Sequence, residues 1–234
     1  MTAGKLYGVG IGPGDPGLVT LRAAEILRGA DVVFTVASAN RTHSVSRAIV
    51  ESLGPLRGEA RTLSFSMSRD AAVRSACVAA NAKAIADELE AGRDCAFATL
   101  GDAMTYSTFG YVLPLIRRAL PDVEVEIVPG VTSFAHLAAR AGRPLVEDGE
   151  ELRVVPAFRA DQAARLTFSP GSATVLLKTY RSREALHARL EQEQDATILY
   201  GERLGMEGER LCEGLDAMRE RPAEYLSLVL VKKK

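Results

Sequence analysis

Residues 100–108, Leu100-Gly101-Asp102-Ala103-Met104-Thr105-Tyr106-Ser107-Thr108, set one carboxylate, three aliphatic hydroxyls and a phenol directly behind an apolar run. Polarity concentrated in a short loop at the end of a buried strand suits ligand binding, because the strand fixes the loop while its side chains stay free. The structural alternative is that Asp102 caps a helix over residues 106–115. The loop's position favours ligand binding over the cap.

A second dense loop, Gly8-Val9-Gly10-Ile11-Gly12-Pro13-Gly14-Asp15, invites a dinucleotide-binding reading, since glycine loops between strand and helix approach phosphates closely. The spacing does not fit. Counted from Gly8, the third glycine of GxGxxG falls on Pro13; counted from Gly10, it falls on Asp15, whose carboxylate repels pyrophosphate. What remains is a tight turn that needs glycine for its backbone angles, and four glycines, a proline and an aspartate in eight residues make a rigid, open rim for a large flat ligand. His43, His136 and His187 show no HxxxH or HxH spacing, so no metal site is expected. Neither GxSxG nor GxxxxGK[ST] occurs, which removes the main support for hydrolase and P-loop kinase chemistry.

Strands and helices must hold these loops. Continuous apolar runs predict strands at residues 6–11, 31–36, 94–100 and 123–128, and helical periodicity predicts helices at 18–27, 44–53 and 70–91, the last closed by Gly92. The loops then lie at the carboxyl ends of strands, where open α/β sheets hold ligands. After the polar stretch 144–151 the pattern restarts, with strands at 152–156, 173–177, 196–200 and 225–231 and a helix at 183–192. Two small α/β domains follow, residues 1–145 and 146–234.

The chain has 234 residues, 47% hydrophobic and 25% charged, the composition of an ordinary globular protein. A net charge of -1 gives no global attraction to nucleic acid, and Lys232-Lys233-Lys234 reads as a solvated tail. Cys77, Cys95 and Cys212 are odd in number and lack CxxC spacing, as expected in a reducing compartment. With no signal-like segment and no apolar run long enough to span a bilayer, a cytoplasmic protein is expected.

Residues 7–21 (YGVGIGPGDPGLVTL), 99–111 (TLGDAMTYSTFGY) and 127–133 (IVPGVTS), in this order and spacing, resemble the tetrapyrrole methylases that build the corrin ring. The resemblance implies a two-domain α/β enzyme, usually a homodimer. It implies S-adenosylmethionine in a ligand cleft between the two small domains, and S-adenosylhomocysteine as product. The Tyr-Ser-Thr-Phe run at 106–109, with 200–209 (YGERLGMEGE), resembles the branch that methylates C20 of precorrin-2 or cobalt-factor II in cobalamin biosynthesis. A methylase for another ring position or for uroporphyrinogen III is the alternative within the family. A non-catalytic, nucleotide-binding regulatory protein is the alternative outside it.

By position, Gly101 and Asp102 match the loop that meets the methionine part of the cofactor, with Asp102 placed to accept from its ammonium group. Leu100, Thr105 and Tyr106 fall in the same pocket, Thr132 and Ser133 match a second cofactor loop, and Thr179 and Tyr200 match the adenosine side. Pro13, Gly14 and Asp15 match a border of the tetrapyrrole trough. Family members commonly carry Gly-Asp-Pro where this chain has Gly101-Asp102-Ala103, which loosens the turn but keeps the acid. Asp15 and Tyr106, with water, are the candidates for removing the C20 proton. Arg41, Arg47 and Arg69 are candidates for the substrate's carboxylates.

Overall fold

A computed structural model describes residues 2–38, 44–68, 70–219 and 224–233. The chain divides into two compact units, Met1–Thr132 and Ser133–Lys234. The first unit comprises β1 (Leu6–Gly10), α1 (Leu21–Gly29), β2 (Val32–Ser38), α2 (Val45–Ser52), β3 (Glu59–Phe65), α3 (Ala71–Glu90), β4 (Cys95–Thr99), α4 (Phe109–Ala119) and β5 (Val125–Val128). Its strands run in the order β3-β2-β4-β1-β5, every neighbouring pair parallel.

Alternate side chains of a strand face opposite ways, and both faces of this sheet are covered. Phe34 and Phe97 pack with Ile85, Leu89, Phe109 and Ile116 of α3 and α4. Val33, Ala96 and Ala98 pack with Ala23, Leu27 and Ile49 of α1 and α2. Two-sided burial explains why these strands read as continuous apolar runs. At Gly8 a Cβ would run into the Phe109 ring, so glycine there is what lets α4 close onto β1.

Helix starts follow from capping. Thr20, Ser44 and Asp70 accept from Ala23 N (3.2 Å), Arg47 N (3.1 Å) and Ala72 N (2.8 Å), each cap contributing about 1 kcal/mol. α3 thus spans nearly all of the expected 70–91, and Gly92 follows it at φ +78°. α1 begins later than residue 18 because Pro16–Leu18 forms a separate 3₁₀ turn, capped by Asp15. α4 begins at Phe109, not at 106, because Tyr106 sits at φ +54°, outside helical space. The edge strand β3 has no counterpart among the expected strands: only Leu63 and Phe65 are buried in it, and Arg61 pairs with Glu88 across its polar side.

The second unit comprises α5 (Ser133–Ala141), β6 (Glu151–Val155), α6 (Ala160–Ala163), β7 (Ser172–Leu177), α7 (Arg183–Leu190), β8 (Ala196–Glu202), β9 (Arg210–Glu213), α8 (Asp216–Arg219) and β10 (Ser227–Lys233). The order is β6-β7-β10-β8-β9, with β6 parallel to β7 and the remaining pairs antiparallel. β10 is central, in keeping with its unbroken apolar sequence. α5, which a boundary at 145/146 assigns to the first domain, belongs with the second unit. Its Leu137 is buried among Ala173, Val175, Leu199 and Leu230.

Candidate functional site

In the first unit β4, β1 and β5 are adjacent and parallel, so the loops that follow them leave one edge of the sheet together. The loops are also bonded to one another. Gly101 N donates to Gly12 O (2.7 Å), Gly12 N returns a bond to Gly101 O (3.3 Å), and Ile11 N donates to Thr99 O (3.0 Å). A Cβ on Gly10 would lie 2.6 Å from Gly130 N and 2.8 Å from Gly101 O, so the three loops meet only because position 10 has no side chain. Gly101 at φ +73° occupies the left-handed region that favours glycine.

Asp102 closes this junction. Its Oδ1 accepts from Met104 N (3.0 Å) and from Thr105 Oγ1 (2.8 Å), while its Oδ2 accepts from Gly130 N (3.0 Å) on the neighbouring loop. Partial burial pushes the carboxyl pKa up. The donors outweigh burial, Gly130 N–H foremost and then the Thr105 hydroxyl, and hold it below the ordinary carboxylate value. The backbone N–H groups of Met104, Thr105 and Gly130 and the Thr105 hydroxyl all act on it, and the Gly130 bond is made by Oδ2. The helix-cap alternative for Asp102 is thereby set aside.

Beyond this clasp, Ser107 Oγ donates to Thr99 Oγ1 (3.2 Å) and accepts from Phe109 N (3.0 Å), returning the loop to α4. Met104 and Tyr106 are left exposed, and Leu100 is half-buried. Tyr106 holds a left-handed backbone, which costs a bulky residue of order 1–3 kcal/mol. Thr132 and Ser133 lie between the β5 loop and the body of α5. Pro13 and Gly14 are buried, and Asp15 spends Oδ1 on Gly17 N (2.8 Å). Arg47 pairs with Glu51 at 2.7 Å along α2, which makes it a helix-surface residue in this structure. Arg41, His43 and Arg69 lie outside the described residues.

The second unit brings its own candidates to one sheet edge. β7 and β8 flank β10 antiparallel to it, so their carboxyl ends meet the start of β10. There the Thr179 and Ser227 hydroxyl oxygens lie 3.0 Å apart, and Tyr200 OH donates to Glu202 Oε2 at 2.8 Å, with all four residues buried. Burial first, and the Glu202 carboxylate second, push the Tyr200 phenol pKa well up. Ser227 and Glu202 escape sequence reading, although Glu202 lies inside the 200–209 run. The rest of that run forms the β8–β9 hairpin, tied by Glu209. Its Oε2 accepts from Gly205 N and its Oε1 from Arg140 Nε, both at 2.8 Å. Among the described residues the non-glycine positions with positive φ are Tyr106, Lys178 and Arg203, each following a strand that ends at a candidate loop.

Residues 5–215 match the family model for Tetrapyrrole (Corrin/Porphyrin) Methylases. The chain is 35% identical to the cobalt-precorrin-2 C(20)-methyltransferase of Salmonella typhimurium, over 98% of this chain and 97% of that protein. It is 32% identical to the precorrin-2 C(20)-methyltransferase of a Sinorhizobium species, over 97% and 95%. Among solved structures, the uroporphyrin-III C-methyltransferase of Thermus thermophilus superimposes with a TM-score of 0.73 at 25% identity, covering 98% of this chain and 94% of that one. A structure of that enzyme is complexed with S-adenyl homocysteine. With its parallel first sheet, its mixed second sheet and a sequence matched from end to end, the chain belongs to the tetrapyrrole (corrin/porphyrin) methylase family.

Proposed function

We propose that this chain transfers the methyl group of S-adenosylmethionine to C20 of precorrin-2 or cobalt-factor II in cobalamin biosynthesis, leaving S-adenosylhomocysteine. The observation that carries this reading is the near full-length similarity to two proteins named for methylation of the same carbon.

The residues at the edge of the first sheet suit the amino-acid part of such a cofactor. Asp102 is assigned to the ammonium group through its Oδ2, and the hydroxyls of Thr105 on the same loop and of Thr132 and Ser133 after β5 are assigned as further polar partners. Leu100, Gly101 and Tyr106 complete the proposed contacts, while Thr179 and Tyr200 are assigned to the adenosine part. Tyr200 and Thr179 act there by fixing the backbone, since their hydroxyls are already engaged.

When bound, S-adenosylmethionine supplies an activated methyl group on its sulfonium. The chain's task is to hold the tetrapyrrole carbon in line with it. Such positioning contributes about 7–11 kcal/mol toward the barrier, and the mutually bonded loops at Gly12, Gly101 and Gly130 are suited to it. Pro13, Gly14 and Asp15 are assigned to the tetrapyrrole side. The proton released from C20 goes to Asp15 Oδ2 or to water, either directly or through the Tyr106 hydroxyl, which takes it up as it gives its own proton on. We assign the protein to the cytoplasm, where its three free thiols are suited to a reducing medium. We also propose a homodimer, supported by exposed Tyr111 and Leu115 one turn apart on α4.

Anaerobic incubation with methyl-labelled S-adenosylmethionine and each tetrapyrrole in turn tests the reaction. Label in either tetrapyrrole supports it, and the preferred ring identifies the substrate. Cofactor binding with no label in either ring contradicts it and leaves a non-catalytic binder.

A further inference from the structure

β7 ends at Leu177, paired with Leu228 of β10, and the next residue, Lys178, takes φ +55° and ψ +44°. This is the left-handed region, which a lysine enters at a cost of order 1–3 kcal/mol unless its flanks determine it. They do so here. On one side stands the last rung of the β7–β10 ladder. On the other, buried Thr179 is held through Ser227, whose Oγ also donates to Glu224 O at 2.6 Å. The direction in which Lys178 leaves the sheet is therefore fixed.

Its ammonium group is unlike those of the other described lysines. Lys5 is 2.6 Å from Glu124, Lys83 is 2.7 Å from Asp87, Lys232 is 2.6 Å from Glu147 and Lys233 is 2.7 Å from Glu193. Among the described residues Lys178 alone of the lysines has no carboxylate or hydrogen-bond acceptor. The charge that acts on it is Arg181, of the same sign, whose guanidinium lies 5.3 Å from the Tyr180 ring centre. Lys178 remains exposed, yet neighbouring atoms desolvate it enough to lower its pKa, with Arg181 as the second cause. A strained backbone presenting an uncompensated cation adds nothing to folding; it is useful where an anion arrives from outside.

We infer that Lys178 is a recognition residue for a ligand carboxylate, namely an acidic side chain of the tetrapyrrole. The inference rests on the methyltransferase reading for the identity of the ligands. Both ligands carry carboxylates, so the methionine carboxylate of the cofactor is the other source, and the two arms of the experiment separate them.

Two full-chain variants suffice. Lys178→Asn removes the charge while keeping a residue that tolerates the left-handed backbone, and Lys178→Arg keeps the charge. Each is titrated with S-adenosylhomocysteine by calorimetry and with a stable octacarboxylate porphyrin by absorbance. The expected result is that Lys178→Asn weakens porphyrin binding roughly ten- to hundredfold, the range of a charge-assisted hydrogen bond. The melting temperature and homocysteine-adduct affinity stay at wild-type values, and Lys178→Arg restores porphyrin binding to within about threefold of wild type. Weakening confined to S-adenosylhomocysteine reassigns the carboxylate to the cofactor. Wild-type binding of both ligands by Lys178→Asn overturns the inference, as does equal loss in both variants. Because binding is read without turnover, absence of methyl transfer by the wild-type chain counts against the enzymatic reading separately.

Discussion

Asp102 clasps the β4 and β5 loops, and it is the residue proposed to meet the cofactor's ammonium group. Replacing it with alanine strips the acceptor from the partly buried Gly130 N–H and from Met104 N–H, at a cost of about 1–3 kcal/mol for a buried donor left without a partner. Asp102→Ala is expected to lower the melting temperature by several degrees and to weaken S-adenosylhomocysteine at least about tenfold by calorimetry. The pH dependence has a definite sign. Because the folded carboxyl lies below its ordinary value of 3.8, its contribution is complete above that value and lost as pH falls through the lower folded value. Homocysteine-adduct affinity should therefore show no Asp102-dependent change between pH 7 and about 5. Below pH 4 the gap between wild type and Asp102→Ala should close. Gly10→Ala is a sharper probe, since its Cβ meets backbone atoms that cannot swing aside. An overpacking cost of about 1–3 kcal/mol is expected, read in denaturant melts, with loss of cofactor binding. Asp102 was legible because an acid among hydroxyls behind an apolar strand is conspicuous. Its partner Gly130, 28 positions on, was not, because that contact exists only once β5 lies beside β1.

At the level of elements, Glu209 ties the turn of the β8–β9 hairpin to α5 through Arg140, beside the packing of Leu204 with Leu137. Glu209→Ala is expected to speed amide hydrogen exchange at residues 203–208 while leaving the core strands β7 and β10 as protected as in the wild type, because local opening need not involve the global transition. Unchanged exchange in the hairpin would show that the turn bonds alone hold it. Elements with strong local signals were the ones the sequence revealed: α3 has an aspartate cap, a long Ala-rich body and a closing glycine. β3 and β9 did not stand out. Each is a sheet edge with mostly polar or half-buried residues, so neither shows the apolar run of a central strand. The capped helix over 106–115, the alternative to a binding role, would start three residues before α4 does, because backbone strain at Tyr106, invisible to composition, delays the start.

At the scale of the molecule, the two-unit α/β organisation was legible from the restart of the strand pattern after residue 151, whereas the division point was shifted. The shift has a packing cause: α5 carries Leu137 into the core of the second unit, and nothing local in its sequence marks which sheet it will cover. The loops at the carboxyl ends of β1, β4 and β5 were recognisable one at a time. Their mutual bonding follows from the strand order β4-β1-β5, a long-range property of the fold. The central claim, methyl transfer to one carbon of the ring, is tested most directly by NMR of the product formed anaerobically from ¹³C-methyl S-adenosylmethionine and precorrin-2 or cobalt-factor II. A single enriched methyl bonded to C20 is the expected result; an enriched methyl at any other ring carbon would contradict the account.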